Sequence, residues 1–167
     1  VNFAHGALFM IGAYAGLYLA SLTGSFWWGL LLAPILIGAF GMLIEFVLIR
    51  RLYGRSIDDP LLLTFGLALI AEGVFRDQFG VSGQSYSVPE ALQGATNLGF
   101  MVLPNYRAWV VVASLFVCLT TWFVIEKTRL GATLRAGTEN PALVQAFGIN
   151  VPMMVMLTYA GGAALAA

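Results

Sequence analysis

Long charge-free stretches alternate along this chain with short polar clusters, and no polar face recurs every three to four residues as in a soluble helix. A bilayer core of about 30 Å takes roughly 20 helical residues at about 1.5 Å each, which sets the length to look for. Residues 3–22 carry no charge apart from a possible one on His5, and Ser21-Leu22-Thr23-Gly24-Ser25 then makes a turn. Residues 26–49 carry only Glu45. A third stretch, residues 61–80, follows the helix-start signal Asp58-Asp59-Pro60 and is interrupted by Glu72, Arg76 and Asp77. The fourth, Ala108 to Ile125, is uncharged, and the fifth runs from Pro152 to the last residue. The pattern predicts an all-α, polytopic transmembrane helix bundle of about five spans, with one short helix in the loop before the fifth.

Composition agrees: of 167 residues, 60% are apolar and 10% charged, with a mean hydropathy of +0.88. That excludes an ordinary soluble domain. Eight basic residues balance eight acidic ones, so there is no field to attract nucleic acid. The single Cys118 excludes a disulfide framework, and with one His it leaves too few ligands for a metal site. No signal-peptide layout is present, so the apolar helices are expected to stay in the bilayer. Six of the eight basic residues, Arg50, Arg51, Arg55, Lys127, Arg129 and Arg135, fall in two loops. The positive-inside rule places loops 50–60 and 126–151 in the cytoplasm, and the parity of the spans agrees. Trp27, Trp28, Tyr106 and Trp109 then fall at the outer headgroup level.

Lipid tails are as apolar as leucine, so helix seams should be marked by small residues. Gly12, Gly16 and Ala20 form such a ladder on the first span, and Gly162 with Ala166 suggests another on the last. Glu72 lies near mid-span, where an exposed charge is costly. Three readings stay open for it: an ion pair with Arg76 one turn on, a place on a translocation path, or a protonated carboxyl. Glu45 is expected near the cytoplasmic interface, reaching headgroup water. Asn2-x-x-His5-Gly6 reads as a broken or re-entrant helix end, which either hydrogen-bonds a passing substrate or caps the backbone. In the loop from Glu126 to Val151, Asn140 is a good N-cap, Pro141 suits the first helical turn and Gly148 can close the end. The bracketed helix, with Leu143 and Phe147 four apart and Glu139 and Gln145 nearby, either docks into a partner or lies on its own bundle. Catalytic patterns are missing, including GxSxG, HExxH and a Walker A loop, so any ATP is expected to be bound by another subunit and no cofactor of its own is expected.

Asn2-Phe3-Ala4-His5-Gly6 followed by Met10-Ile11-Gly12-Ala13-Tyr14 resembles the opening signature of branched-chain amino acid ABC importer permeases of the LivH/LivM family. Leu63-Thr64-Phe65-Gly66-Leu67, Leu103-Pro104-Asn105-Tyr106-Arg107, Thr128-Arg129-Leu130-Gly131, Leu134-Arg135-Ala136 and Gly148-Ile149-Asn150 resemble later family segments in order. The resemblance implies a bacterial inner-membrane permease working with a second permease subunit, two cytoplasmic ATP-binding subunits and a periplasmic substrate-binding protein. It implies that residues 1–167 are part of a single transmembrane permease domain truncated at both ends. Asn2, His5, Thr64 and Glu72 become candidates for the path, and Arg135, Glu139, Asn140, Pro141, Leu143, Phe147 and Gly148 for coupling to the ATPase. Gly137-Thr138-Glu139-Asn140 departs from the general EAA pattern of ABC importers, in which two alanines follow the Glu. Leucine, isoleucine and valine are the expected cargo. Alternatives are urea or short amides within the same family, and an ion-coupled secondary transporter using Glu72.

Overall fold

The computed structural model describes residues 2–56, 58–84, 86, 88–97, 99 and 101–167. They form two compact units, one of Val1–Ser85 with Pro152–Ala167 and one of Tyr86–Val151.

The first unit is a helical bundle. Helix α1 (His5–Thr23) stops where Gly24 turns left-handed at φ 66°, a conformation that costs glycine nothing. Helix α2 (Phe26–Val47) follows at once and tightens into a 3-10 turn at Ile49–Leu52. Helix α3 (Asp58–Phe79) takes in Asp58, Asp59 and Pro60 as its first turn, where carboxylates meet the positive helix end and proline loses no bond. It therefore starts three residues earlier than the uncharged stretch alone predicts. Helix α7 (Val151–Ala166) completes the unit.

Small residues set the distance between these helices. A Cβ on Gly29 would lie 2.6 Å from the Gly16 carbonyl oxygen and 2.9 Å from the Ala20 Cβ, and one on Gly16 would meet Ala33 at 3.7 Å. Gly12 meets Ala167 in the same way. Lower on α2, Gly38 lies against Ala160 and Ala164, and Gly41 against Ala163. The seam on α7 is thus Ala160, Ala163 and Ala164. Of the expected Gly162–Ala166 ladder, Ala166 packs against the core, whereas Gly162 faces open space, one position round the helix from the contact. Pro34 lies between the two seams of α2. Leu8, Ile37, Ile44, Ile49 and Ala163 form the core, and α3 adds an aromatic cluster in which Tyr14 lies 4.9 Å from Phe75 and 4.4 Å from Phe79.

In the second unit a short antiparallel hairpin, β1 (Ala95–Asn97) and β2 (Val102–Pro104), precedes helix α4 (Asn105–Lys127). Asn105 ties it down: its Oδ1 accepts from the Thr96 hydroxyl at 2.8 Å and its amide donates to the Gln93 carbonyl at 3.2 Å. Two more helices follow, α5 (Arg129–Glu139) and α6 (Pro141–Ala146). The hairpin and α5 were not expected from the sequence, and the fold remains all-α in character. Among the described residues, three stretches are long and apolar enough to cross a membrane: His5–Thr23, Phe26–Leu52 and Asn105–Lys127. Of the other two expected spans, α3 has the length but is more polar, and α7 is shorter at 16 residues.

Gly29→Val is expected to destabilise the bundle by about 1–3 kcal/mol through overpacking against Gly16 and Ala20. Gly73→Ala, where a Cβ meets nothing within 4 Å, is expected to be neutral or stabilising by up to about 1 kcal/mol. Thermal unfolding of the detergent-solubilised protein measures both; equal midpoints would refute the close-packed seam.

Candidate functional site

Two groups of polar side chains stand out, one in each unit. In the first, the chain enters α1 through a corner at Asn2. The Asn2 Oδ1 accepts from the Ala4 N–H at 3.0 Å, and the Phe3 N–H donates to the Thr64 hydroxyl at 3.2 Å. Thr64 is buried and donates in turn to the Leu61 carbonyl at 3.0 Å. One threonine side chain therefore joins the start of α1 to α3 and gives the Phe3 N–H a partner. The structure brings Asn2 and Thr64 into this corner as backbone partners. His5, the first residue of α1, is exposed.

Glu72 lies two turns beyond Thr64 on α3. Its Oε1 is 3.9 Å from the Arg76 guanidinium, and the two side chains are 63% and 66% exposed. Of the three readings left open by the sequence, the geometry displays the intrahelical pair. Exposed pairs of this kind are weak.

The fully buried carboxylate is Glu45, with 0% of its surface exposed. This corrects the expectation that it reaches headgroup water: α2 turns it inward, on the same face as Gly38 and Gly41. The Tyr53 hydroxyl donates to its Oε1 at 2.7 Å, and Arg50 spans both oxygens, Nε to Oε1 at 3.5 Å and Nη2 to Oε2 at 3.3 Å. Arg50 also lies over the Phe46 ring at 4.9 Å and approaches the Met156 sulfur at 3.6 Å. Burial, then the hydrogen bond to Glu45, pushes the Tyr53 hydroxyl above the ordinary tyrosine range, so it stays protonated and donating. The available signal was the spacing Glu45, Arg50, Tyr53, which a sequence reading takes for an interfacial charge pair because burial is not written in it.

Beside this cluster, Leu8, Ile11, Phe40, Ile44, Leu67 and Val74 help line an apolar cleft of about 220 Å³. It offers volume for an aliphatic group and almost no hydrogen bonding.

The second group lies in residues 126–151. The chain leaves α4, and Thr128 caps α5, its hydroxyl accepting from the Gly131 N–H at 3.5 Å. Gly131 packs onto the Ile125 carbonyl so closely that any Cβ would overlap it. Arg135 donates to that same carbonyl and lies 3.8 Å from Glu126. Arg135 thus braces the α4–α5 corner, and Glu139 ends α5 as an exposed residue. The cap at Thr128 and the Leu130–Leu134 spacing were the overlooked signals for α5. Asn140 Oδ1 accepts from the Leu143 N–H at 3.0 Å, Pro141 occupies the first turn of α6, and Gly148 leaves it at φ 81°. Val144 turns inward, whereas Leu143 is 54% and Phe147 78% exposed. Two large apolar side chains are therefore presented on a short, well-capped helix. Among the described residues, no three His, Cys, Asp or Glu gather to hold a metal ion.

A family described as branched-chain amino acid transport system / permease component matches residues 1–167. The chain is 27% identical over 183 residues to the high-affinity branched-chain amino acid transport system permease protein BraD of Pseudomonas aeruginosa, covering 100% of this chain and 58% of that one. It is 28% identical over 170 residues to the probable branched-chain amino acid transport permease protein LivH of Methanocaldococcus jannaschii, covering 99% and 54%. Against Escherichia coli LivH, a high-affinity branched-chain amino acid transport system permease protein, the identity is 27% over 188 residues, covering 100% and 58%. The chain thus spans a little over half the length of these relatives. No solved structure matches it.

Tyr53→Phe is expected to lower stability by about 1.5 kcal/mol, the low end for a hydrogen bond to a charged group because the phenol is only partly buried. Since the folded state holds the Tyr53 proton more tightly than the unfolded one, wild-type stability should fall as pH rises above 10. Denaturant unfolding of both proteins between pH 7 and 11 tests this; an identical alkaline decline in the phenylalanine variant would show that Tyr53 is not its source.

Proposed function

The chain belongs to the branched-chain amino acid transport permease family, and from that premise we propose that it forms the membrane-crossing part of an ABC importer permease for leucine, isoleucine and valine. The proposal places it in the inner membrane as a multi-pass subunit, part of one permease domain, with loops 50–60 and 126–151 cytoplasmic. A second permease subunit, two ATP-binding subunits and a periplasmic substrate-binding protein complete the machine. ATP is bound by those partners, and the chain carries no cofactor of its own.

The observation that carries this reading is α6 and its flank: a capped helix that exposes Leu143 and, at its end, Phe147. Buried apolar anchors dominate the energetics of protein interfaces, and a short helix with two of them is suited to fill a pocket on an ATPase. Arg135, by bracing α5 against α4, would carry a push on α6 toward the membrane. Glu139, Asn140, Pro141 and Gly148 fix where the helix begins and ends. Along the path, the proposal assigns Asn2, His5, Thr64 and Glu72 to the polar lining. The apolar cleft beside them suits cargo with aliphatic side chains, and the names of the relatives point the same way.

Uptake of labelled leucine by vesicles carrying the full-length protein with its partner subunits tests the reading. Uptake should require ATP and survive ionophores; uptake that ignores ATP and follows an ion gradient would overturn the proposal. Leu143→Asp or Phe147→Asp should cut ATP-driven uptake at least tenfold with membrane insertion intact. Normal uptake by both variants would remove α6 from the coupling interface.

A further inference from the structure

Among the described residues, the donors to the buried Glu45 carboxylate come from the turn that leaves its own helix. Arg50 lies in the 3-10 segment Ile49–Leu52 and Tyr53 follows it. The same turn sends Ile49 into the core, 7% exposed, against Leu8 and Ile44. Leu8 and Ile44 are also walls of the apolar cleft. The turn is therefore held twice, by a polar clasp at Glu45 and by an apolar plug at Ile49, and the plug shares its buried cluster with two walls of the cleft.

A static brace at this point would be served as well by apolar side chains, since replacing a buried ion pair by hydrophobic residues is often neutral or stabilising. An ion pair differs in what happens when it parts. In a low-dielectric interior a half-made pair is penalised, so the clasp is either closed or open to water. Arg50 is already one-third exposed and can be hydrated as the turn swings out, whereas Glu45 cannot follow it from the helix. Such an arrangement has two discrete states, as a gate needs.

We propose that Glu45, clasped by Arg50 and Tyr53, is the gating residue that holds the turn after α2 against the cleft walls Leu8 and Ile44, and that transport requires this clasp to open. The inference rests on the transport reading above. In each cycle the Arg50 and Tyr53 donors leave Glu45, Ile49 withdraws from Leu8 and Ile44, and these two walls of the cleft are freed to move.

The test uses the full-length protein with its partner subunits in inside-out vesicles loaded with the substrate-binding protein and labelled leucine, in which uptake is read as ATP-driven release of leucine at the exposed cytoplasmic face. Ile49→Cys is made in a Cys118→Ser background, because Cys118 is exposed and is the chain's single cysteine. A membrane-impermeant maleimide should label the new thiol slowly at rest and at least fivefold faster during ATP-driven uptake. Adding Glu45→Gln should bring the resting rate up to the turnover rate. Labelling unchanged by ATP and by Glu45→Gln, while uptake proceeds, would overturn the gate. Should Ile49→Cys fail to accumulate, the paired substitution Glu45→Leu with Arg50→Met decides: a gate predicts normal membrane levels with uptake reduced at least tenfold, and normal uptake refutes it. Uptake by the Cys118→Ser parent is read in the same vesicles, so a failure of the transport reading shows there and a failure of the gate shows only in the variants.

Discussion

Everything in the first unit depends on how near two backbones can come. Between apolar helices in hydrocarbon there is no water to release, so dispersion and close approach must do the joining. Gly29 beside the Gly16 carbonyl is the tightest expression of that constraint, with Ala20 and Ala33 continuing the line. The second line, Gly38 and Gly41 against Ala160, Ala163 and Ala164, closes the other side of α2. Once α1 and α7 are seated on α2, Leu8, Ile37, Ile44 and Ile49 are forced together. The inward aim of Glu45 follows from the same rotation of α2 about its axis, because it lies one turn beyond Gly41.

The polar groups of this unit are handled economically. Thr64 satisfies the Phe3 N–H that would otherwise be orphaned at the start of α1. Glu45 receives three donor contacts from two side chains, enough to keep a carboxylate inside a protein. Glu72 is left with one distant partner on its own helix. A mid-span position therefore identified an expensive residue, yet the carboxylate that the fold encloses lies at the end of a helix, where the chain can turn back to meet it.

Much of the architecture could be read from the residues. Charge-free runs became α1, α2 and α4 with boundaries within a few residues, because in such sequences length and charge alone decide. Asn140, Pro141 and Gly148 bracket α6 as local backbone chemistry dictates. What could not be read was rotation about helix axes and contact across sequence. Gly162 and Ala163 are equally small, and only the packed structure distinguishes the one that meets α2. Glu45 sits in a sequence that reads as interfacial, and the structure buries it beside an Arg50 that meets Met156 of α7, more than a hundred residues away. Helix α5 was overlooked because its glycines weaken the helical pattern, although Gly131 is there to let the chain fold back on Ile125.

Pro34 divides α2 between its two seams. It has no N–H to offer the carbonyl of Leu30, so the ladder of hydrogen bonds along this helix lacks a rung at mid-length. Above the missing rung Gly29 and Ala33 meet α1, and below it Gly38 and Gly41 meet α7 while Leu8 of α1 still shares the core with Ile37 and Ile44. A bend about that point therefore breaks no backbone bond in a medium that has no water to replace it.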